Sequence, residues 1–149
     1  MPSDITRPTA AELTPLFDEY RSHYGEAPFP ARTTAWLEEQ LTSGRLLAYA
    51  LDTAGFITVT IQPASLRLST AWMIRDLYVR PTHRRQGTAR ALLTHVITEA
   101  RSAGALRLSL QTETANAPAL SLYTSLGFHQ VTGLALLNLT WDDAAAGTV

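Results

Sequence analysis

The sequence contains no cysteine among its 149 residues. Disulfide scaffolds, cysteine nucleophiles and thiolate metal sites are therefore excluded. Lysine is also absent, and all twelve basic residues are arginine. We attribute this bias to a GC-rich coding sequence, which favours arginine and alanine codons, rather than to function.

Long apolar runs and a strong net charge are also missing. No stretch approaches the roughly 18 apolar residues that a membrane-spanning helix requires. The first residues, Met1 to Asp4, lack the basic and apolar segments of a signal peptide. The net charge of -1 argues against binding nucleic acid through overall charge. We expect one soluble, cytoplasmic globular domain without a membrane or nucleic-acid partner.

The charges are distributed unevenly along the chain. Eight of the thirteen acids lie in residues 1–52, whereas residues 80–90 hold four arginines and no acid. Because like charges in one segment attract a ligand of the opposite sign, the arginine cluster indicates an anionic ligand. The acidic first part of the chain should attract cations, which favours a small amine as a second ligand.

The first half of the chain predicts two helices and four strands. A short strand at Ile5–Arg7 precedes a helix that begins at Thr9, with Thr9 or Thr14 as its cap. The remaining elements are a helix at Thr33–Thr42 and strands at Arg45–Leu51, Phe56–Ile61 and Leu68–Val79, with a tight turn at residues 52–55.

The second half begins with the clearest helical pattern. Residues 88–101 carry one continuous apolar stripe, and Gly104 ends the helix. A strand with alternating leucines at 106, 108 and 110, a helix at Asn116–Leu126 and short strands at Phe128–Val131 and Ala135–Trp141 follow. We predict an α/β fold with a mixed central sheet of six or seven strands and four helices, one domain over residues 1–141 and a flexible tail at 142–149.

The segment between the predicted strand that ends at Val79 and the helix at 88–101 is suited to bind a pyrophosphate. The first turn of a helix has backbone N–H groups without internal partners and a partial positive charge, so an anion is well matched to it. Gly87 allows close approach of a ligand to the backbone. Arg84, Arg85 and Arg90 add forked donors for phosphate oxygens.

Two segments of the sequence resemble the GCN5-related N-acetyltransferase (GNAT) superfamily. The hexapeptide R-R-Q-G-T-A at residues 84–89 fits the acetyl-coenzyme A signature [QR]-x-x-G-x-[GA]. Residues 116–128 meet every fixed position of the family segment N-x-x-A-x-x-[LF]-Y-x-x-x-G-F. The resemblance is strong over residues 68–132 and only architectural before them.

The resemblance implies an acetyl-coenzyme A-dependent N-acetyltransferase, with the cofactor as co-substrate. Backbone groups of Leu77, Tyr78 and Val79 would pair with the pantetheine arm as an added strand. The backbone amides of Arg85, Gln86, Gly87, Thr88, Ala89 and Arg90 would hold the pyrophosphate, and Arg84 would add charge beside them. The Asn116 side chain would bond the pantetheine region, and Tyr123 would lie beside the thioester sulfur and protonate the departing thiolate.

Each of these side chains has a structural alternative. The alternative for Tyr123 is a helix residue that packs on the sheet, and the alternative for Asn116 is a helix N-cap. Asp76 is the first candidate for the base that deprotonates the amine, but its alternative is a structural pairing with Arg75 or Arg107. Glu113 and Glu26 are rival bases, interpreted otherwise as solvated loop residues.

The acceptor is less defined than the cofactor. Arg75 stands where polyamine-acetylating relatives have an acid, which weakens a polyamine interpretation. The tryptophans at 36, 72 and 141 are interpreted as core or interface residues, although the alternation Trp72, Ile74, Asp76, Tyr78 also fits one wall of an acceptor pocket. The four histidines show no spacing typical of metal ligands, and we predict no metal.

We therefore expect direct transfer of an acetyl group to a primary amine in a ternary complex, with a small-molecule amine favoured. A protein or peptide acetyltransferase and a non-catalytic coenzyme A-binding module are the alternatives. The resemblance admits a homodimer, for which the sequence itself offers no interface.

Overall fold

The structure, a computed structural model, describes residues 4–141. The tail predicted at 142–149 lies outside these residues. In chain order the elements are β1 (Ile5–Thr6), α1 (Ala10–His23), α2 (Pro30–Thr42), β2 (Leu47–Leu51), β3 (Gly55–Ala64), β4 (Ser69–Val79), α3 (Thr88–Ser102), β5 (Leu108–Ser109) and α4 (Ala117–Ser125), with 3-10 turns at Ser65–Arg67 and Pro81–His83. The predicted α/β class is confirmed.

The sheet has five strands in the order β1-β2-β3-β4-β5. The first four are antiparallel to their neighbours, and β5 runs parallel to β4 after the α3 crossover. Opposite Thr58 and Val59 of β3, the partners on β4 are Asp76 and Ile74. Arg75 is therefore an extra residue in the ladder, which makes it a β-bulge.

The bulge decides which residues of β4 share a face. Side chains alternate along a strand, and a bulge reverses the alternation. Tyr78 lies in the buried cluster with Phe17 of α1 and Leu37 of α2. Trp72 and Ile74 lie opposite residues 61 and 59 of β3, and thus on the other face. The predicted single face with Trp72, Ile74, Asp76 and Tyr78 is wrong, because that alternation assumed a regular strand.

The helices α1, α2 and α3 cover both faces of the sheet. On the face with Tyr78, α1 and α2 pack around a cluster that includes Leu13, Leu37 and Phe56, each fully buried. On the other face lies α3, whose predicted apolar stripe is buried. The ring of His95 in α3 contacts the ring of Tyr49 in β2, with a centroid distance of 4.9 Å.

The helix ends follow from their local chemistry. Thr9, rather than Thr14, caps α1: its Oγ1 accepts from Glu12 N at 3.1 Å, and the Glu12 carboxylate accepts from Thr9 N at 2.9 Å. This reciprocal pair is a capping box. The second helix begins at Pro30, three residues earlier than predicted, because proline suits the first helical position.

Contacts group the chain into two units that divide after Asn116. The second unit contains α4, which agrees with the helix predicted at 116–126. The strands predicted at 128–131 and 135–141 are wrong, since none of residues 128–141 is in a strand. An alternating apolar pattern forms a strand only where another strand supplies ladder bonds, and the described chain supplies none there. This accounts for five strands instead of six or seven. The single domain over 1–141 stays a prediction.

Among residues 4–141, every helix is too short or too polar to cross a membrane.

Candidate cofactor and acceptor site

The end of β4 offers an open backbone edge. Within residues 4–116, the ladder with β5 ends at the pair Met73–Ser109, whereas β4 runs on to Val79. The N–H of Arg80 donates to the carbonyl of Ala54, toward β3, at 2.8 Å. Because N–H groups alternate in direction along a strand, those of Leu77 and Val79 point to the edge away from β3. An extended ligand can therefore add to this edge as a further strand.

The loop after β4 ends at a glycine that begins α3. Gly87 is the N-cap and has φ 81°, and no side chain caps this helix end. The first helical bond of α3 runs from Ala91 N to Gly87 O at 2.9 Å, so the N–H groups of the preceding turn lie outside the helical ladder. A Cβ built on Gly87 would meet no atom within 4 Å. The space in front of the helix N-terminus is thus open to an anion.

Backbone strain also marks this loop. Arg85 has φ 63°, in the left-handed region that non-glycine residues rarely occupy. Such strain concentrates at ligand-binding sites. Thr88, which follows Gly87, is buried at 5% exposure, and Arg84, Arg85, Gln86 and Arg90 are exposed around it.

The arginines of residues 80–90 do not act as one cluster. Arg80 forms a salt bridge with Glu19 of α1, Nε to Oε2 at 2.9 Å, and the hydroxyl of Tyr78 donates to Oε1 of the same carboxylate at 3.0 Å. The pKa of the Tyr78 phenol is raised by burial and by this bond. Arg84 donates from Nε to the carbonyl of Val79 at 3.2 Å. Arg80 is thus a structural cation, and Arg84 also orders the end of β4.

Asp76 accepts hydrogen bonds on both carboxylate oxygens. The hydroxyl of Tyr20 donates to Oδ1 at 2.7 Å, and that of Thr58 donates to Oδ2 at 2.5 Å. Burial, and then the charge of Asp76, raise the pKa of the Tyr20 phenol, so the phenol remains a donor. The salt bridges of residues 4–141 include none between Asp76 and Arg75 or Arg107. The proposed arginine pairing is replaced by two hydroxyl donors.

A cavity of about 310 Å³ opens beside Asp76. It lies between the sheet and the first two helices, and its walls are Phe17, Trp36, Gln40, Arg45, Leu46, Thr60, Arg75 and Asp76. Its volume is at the small end of the range for small-molecule sites. Trp36, at 46% exposure, is one of these walls, whereas Trp72, at 4%, is a core residue on the α3 face.

The two rival bases lie in exposed positions. Glu26 and Glu113 are both exposed loop residues. The backbone carbonyl of Glu113 accepts from Asn116 N at 3.0 Å, and the backbone N–H of Glu26 donates to Arg21 O at 3.0 Å. Neither of them lines the cavity, and Asp76 does.

Asn116 and Tyr123 belong to the region around α4. Asn116 directly precedes the helix, which is the position of an N-cap. Within the second unit, the ring of Tyr123 makes an edge contact with Phe128 at a centroid distance of 6.0 Å, and Phe128 N donates to Tyr123 O at 3.0 Å. These contacts orient the start of the segment after α4. The roles of both side chains toward the cofactor stay predictions.

Sequence reasoning missed several residues of this site. The sequence-based predictions do not link Tyr20 to Asp76, and they identify no role for Thr58, Thr60 or Arg45. Tyr20 and Thr58 lie 56 and 18 residues before Asp76, and the Tyr20 contact exists only because α1 packs on the sheet. The pairing of β3 with β4 offers the one local signal, since Thr58 lies directly opposite Asp76.

In residues 4–141 no three histidine, aspartate or glutamate side chains are grouped so that they could hold a metal ion.

Comparison with known proteins gives a consistent result. The model of the acetyltransferase (GNAT) family matches residues 11–128. An "uncharacterized N-acetyltransferase YhfO" of Bacillus subtilis (strain 168) is 33% identical over 128 residues, which are 83% of this chain and 86% of that protein. The ribosomal protein bS18-alanine N-acetyltransferase of Escherichia coli (strain K12) is 36% identical over 98 residues, 65% of this chain and 57% of that protein.

A solved structure described as a "probable acetyltransferase" superposes with a TM-score of 0.85 at 30% identity. The match covers 94% of this chain and 99% of that one.

Proposed function

Because the chain belongs to the acetyltransferase (GNAT) family, we propose that it transfers the acetyl group of acetyl-coenzyme A to a primary amine of a small molecule, in the cytoplasm. The observation that carries the proposal is the open edge of β4 at Leu77–Val79, which leads directly into the loop at Gly87. One backbone segment thus offers an extended edge for the pantetheine arm and a helix N-terminus for the pyrophosphate.

The chemistry is a direct attack in a ternary complex. The amine attacks the thioester carbonyl, negative charge develops on the carbonyl oxygen, and coenzyme A leaves as a thiolate that needs a proton. The outward N–H groups of Leu77 and Val79 are the candidate donors to that oxygen, a type of contribution worth about 10²–10³ in rate. Tyr123 is the proposed acid for the thiolate.

Asp76 is the proposed base for the amine. Each carboxylate oxygen can accept more than one hydrogen bond, so the contacts from Tyr20 and Thr58 still leave acceptor positions. The two hydroxyls hold the carboxylate in one orientation beside the cavity. Asp76 would take the proton of the amine either directly or through one water.

The cavity favours a small acceptor over a polypeptide. Its volume of about 310 Å³ suits a molecule of amino-acid size, and Phe17 and Trp36 wall it. Acetylation of a protein is the second candidate, because the Escherichia coli relative is named as a ribosomal protein bS18-alanine N-acetyltransferase and is 36% identical over the matched part.

The test is release of thiol from acetyl-coenzyme A with a panel of small amines and peptides. We expect turnover with a small amine and little with peptides, and Tyr123→Phe should lower kcat by about 10²–10⁴ while leaving the KM for acetyl-coenzyme A near the wild-type value. Phe128→Leu, which removes the ring that Tyr123 contacts and keeps the hydroxyl, is the control for packing.

An acceptor whose rate is unchanged in Tyr123→Phe would remove that residue as the acid. Stabilisation by coenzyme A without turnover on any acceptor would instead indicate a non-catalytic binding module.

A further inference from the structure

The cavity beside Asp76 has an unusual charge for a site that accepts an amine. Its ionisable walls are one carboxylate, Asp76, and two guanidinium groups, Arg45 and Arg75. The carboxylate is engaged by two hydroxyls, whereas the guanidinium groups carry two positive charges. Because two cationic groups line the cavity against one carboxylate, a ligand that also bears an anionic group matches this wall better than one with a cationic amine alone.

The two arginines are weakly engaged within the chain. Arg75 is the bulge residue of β4 and is exposed; its guanidinium donates to the sulfur of Met73 at 3.8 Å, and its charge acts on the nearby Tyr20 phenol. Arg45 donates to Ser43 Oγ at 3.1 Å and approaches Glu39 at 3.6 Å, and the side chains of Arg45 and Glu39 are 60% and 69% exposed. Exposed ion pairs of this kind contribute little to stability. Both guanidinium groups are therefore available to bind an anion.

The acids of α1 are engaged by partners outside the cavity. Of the acidic residues of α1, Glu12 caps the helix, Glu19 pairs with Arg80 and Tyr78, and Asp18 is buried against Arg21. Glu39 of α2 lies 3.6 Å from Arg45, so the first helices place one acid beside the cavity wall. Local charge at the walls is the better guide to the acceptor.

A buried hydroxyl supplies a second, independent observation. Thr60 lines the same cavity, and its Oγ1 is buried without a hydrogen-bond partner in the part of the chain that the structure describes. An unpaired buried hydroxyl costs free energy. A polar group of a bound ligand is one way to supply the missing partner.

We propose that the acceptor is a small amine that also bears an anionic oxygen group, a carboxylate or a phosphate, which Arg75 and Arg45 bind while the amine lies toward Asp76. This inference rests on the proposed acetyltransferase function and names its acceptor class. The flat apolar walls of Phe17 and Trp36 suit an apolar or aromatic body between the two polar ends.

Matched pairs of amines test the proposal by calorimetric titration in the presence of coenzyme A. In each pair, one member carries the anionic group and the other lacks it. Phenylalanine with phenethylamine and tryptophan with tryptamine test a carboxylate, and phosphoethanolamine with ethanolamine tests a phosphate. We expect the anionic member of at least one pair to bind about tenfold more tightly, because guanidinium–oxyanion hydrogen bonds are charge-assisted.

The variants Arg75→Gln and Arg45→Gln should each reduce that preference, and together they should abolish it. Arg67→Gln, an exposed arginine on the 3-10 turn outside the cavity, is the control and should keep it. Equal affinity within every pair, or a preference that survives in the double variant, would overturn the proposal.

Thiol release with the same probes separates the two proposals. A binding preference without thiol release would contradict the transferase function and support the acceptor class. Thiol release with equal efficiency within each pair would support the transferase and contradict the acceptor class.

Discussion

Replacing Gly87 by alanine tests the cofactor loop against a matched control in the same helix. Gly87 at the N-terminus of α3 has φ 81°, and Gly104 beyond its C-terminus has φ 79°. A Cβ would meet no atom within 4 Å at either position. The two substitutions therefore impose the same backbone strain and no clash within the protein.

The expected loss of stability is the same for both variants. An L-residue in the left-handed region costs about 1–2 kcal/mol, which for a chain of this size lowers the thermal midpoint by about 2–8 °C. Gly104→Ala loses stability at a helix end where Ala105 N bonds Ala100 O at 3.0 Å, a bond typical of a glycine C-terminus.

Affinity for coenzyme A should separate the two variants. The new methyl group at residue 87 projects into the open space where the pyrophosphate is expected to approach, so we expect Kd to rise at least tenfold. Ligand at 100 times Kd stabilises a protein by about 2.7 kcal/mol, and a tenfold weaker Kd removes about 1.4 kcal/mol of this.

Differential scanning fluorimetry with and without coenzyme A, supported by calorimetric titration, measures both effects. Gly104→Ala should keep the wild-type stabilisation by ligand, and Gly87→Ala should lose about half of it. Equal ligand responses in the two variants would refute the placement of the pyrophosphate at α3.

Three further substitutions test the acceptor side and the fold. Asp76→Asn leaves the two hydroxyl donors facing one oxygen and one amide group, so the rate of thiol release should fall by at least about 100-fold. Tyr20→Phe keeps the carboxylate, and its rate should fall less than tenfold. Equal losses of rate in the two variants would reduce Asp76 to a structural role. For Asp18, hydrogen bonds from Thr33, Arg21 and the Phe29 backbone outweigh the effect of burial and hold its pKa below the ordinary 3.8. Its stabilisation is thus complete above that value and disappears as the pH falls through the lower folded-state pKa. In urea unfolding at pH 7, the free energy of unfolding of Asp18→Asn should be about 2 kcal/mol below that of the wild type. This difference should narrow at acid pH, and a difference independent of pH would contradict the reasoning. Thr9→Ala should cost about 1 kcal/mol by the same assay, and unchanged stability would show that the capping box contributes nothing.

The features predicted well from the sequence are those that local chemistry determines. The apolar stripe of α3 and its ends at Gly87 and Gly104 depend on residues within one helix, and so does the cap of α1, for which the sequence offered Thr9 or Thr14 and the structure shows Thr9. The strand pairs β2–β3 and β3–β4 follow similarly from short connections between apolar runs.

The features that were missed depend on contacts between distant residues. The bulge at Arg75 moves Trp72 to the face opposite Asp76, and nothing in the alternation of β4 itself reveals an extra residue. The hydroxyl of Tyr20 reaches Asp76 only because α1 packs on that face of the sheet. The apolar pattern of residues 128–141 predicted strands, since a sequence pattern does not show whether a ladder partner exists.

A crystal structure of the protein with bound coenzyme A tests the central claim most directly. The account predicts the diphosphate within hydrogen-bond distance of main-chain nitrogens around Gly87, with the pantetheine arm along Leu77–Val79. A diphosphate bound anywhere else, or an arm that leaves the edge of β4 uncovered, would contradict it.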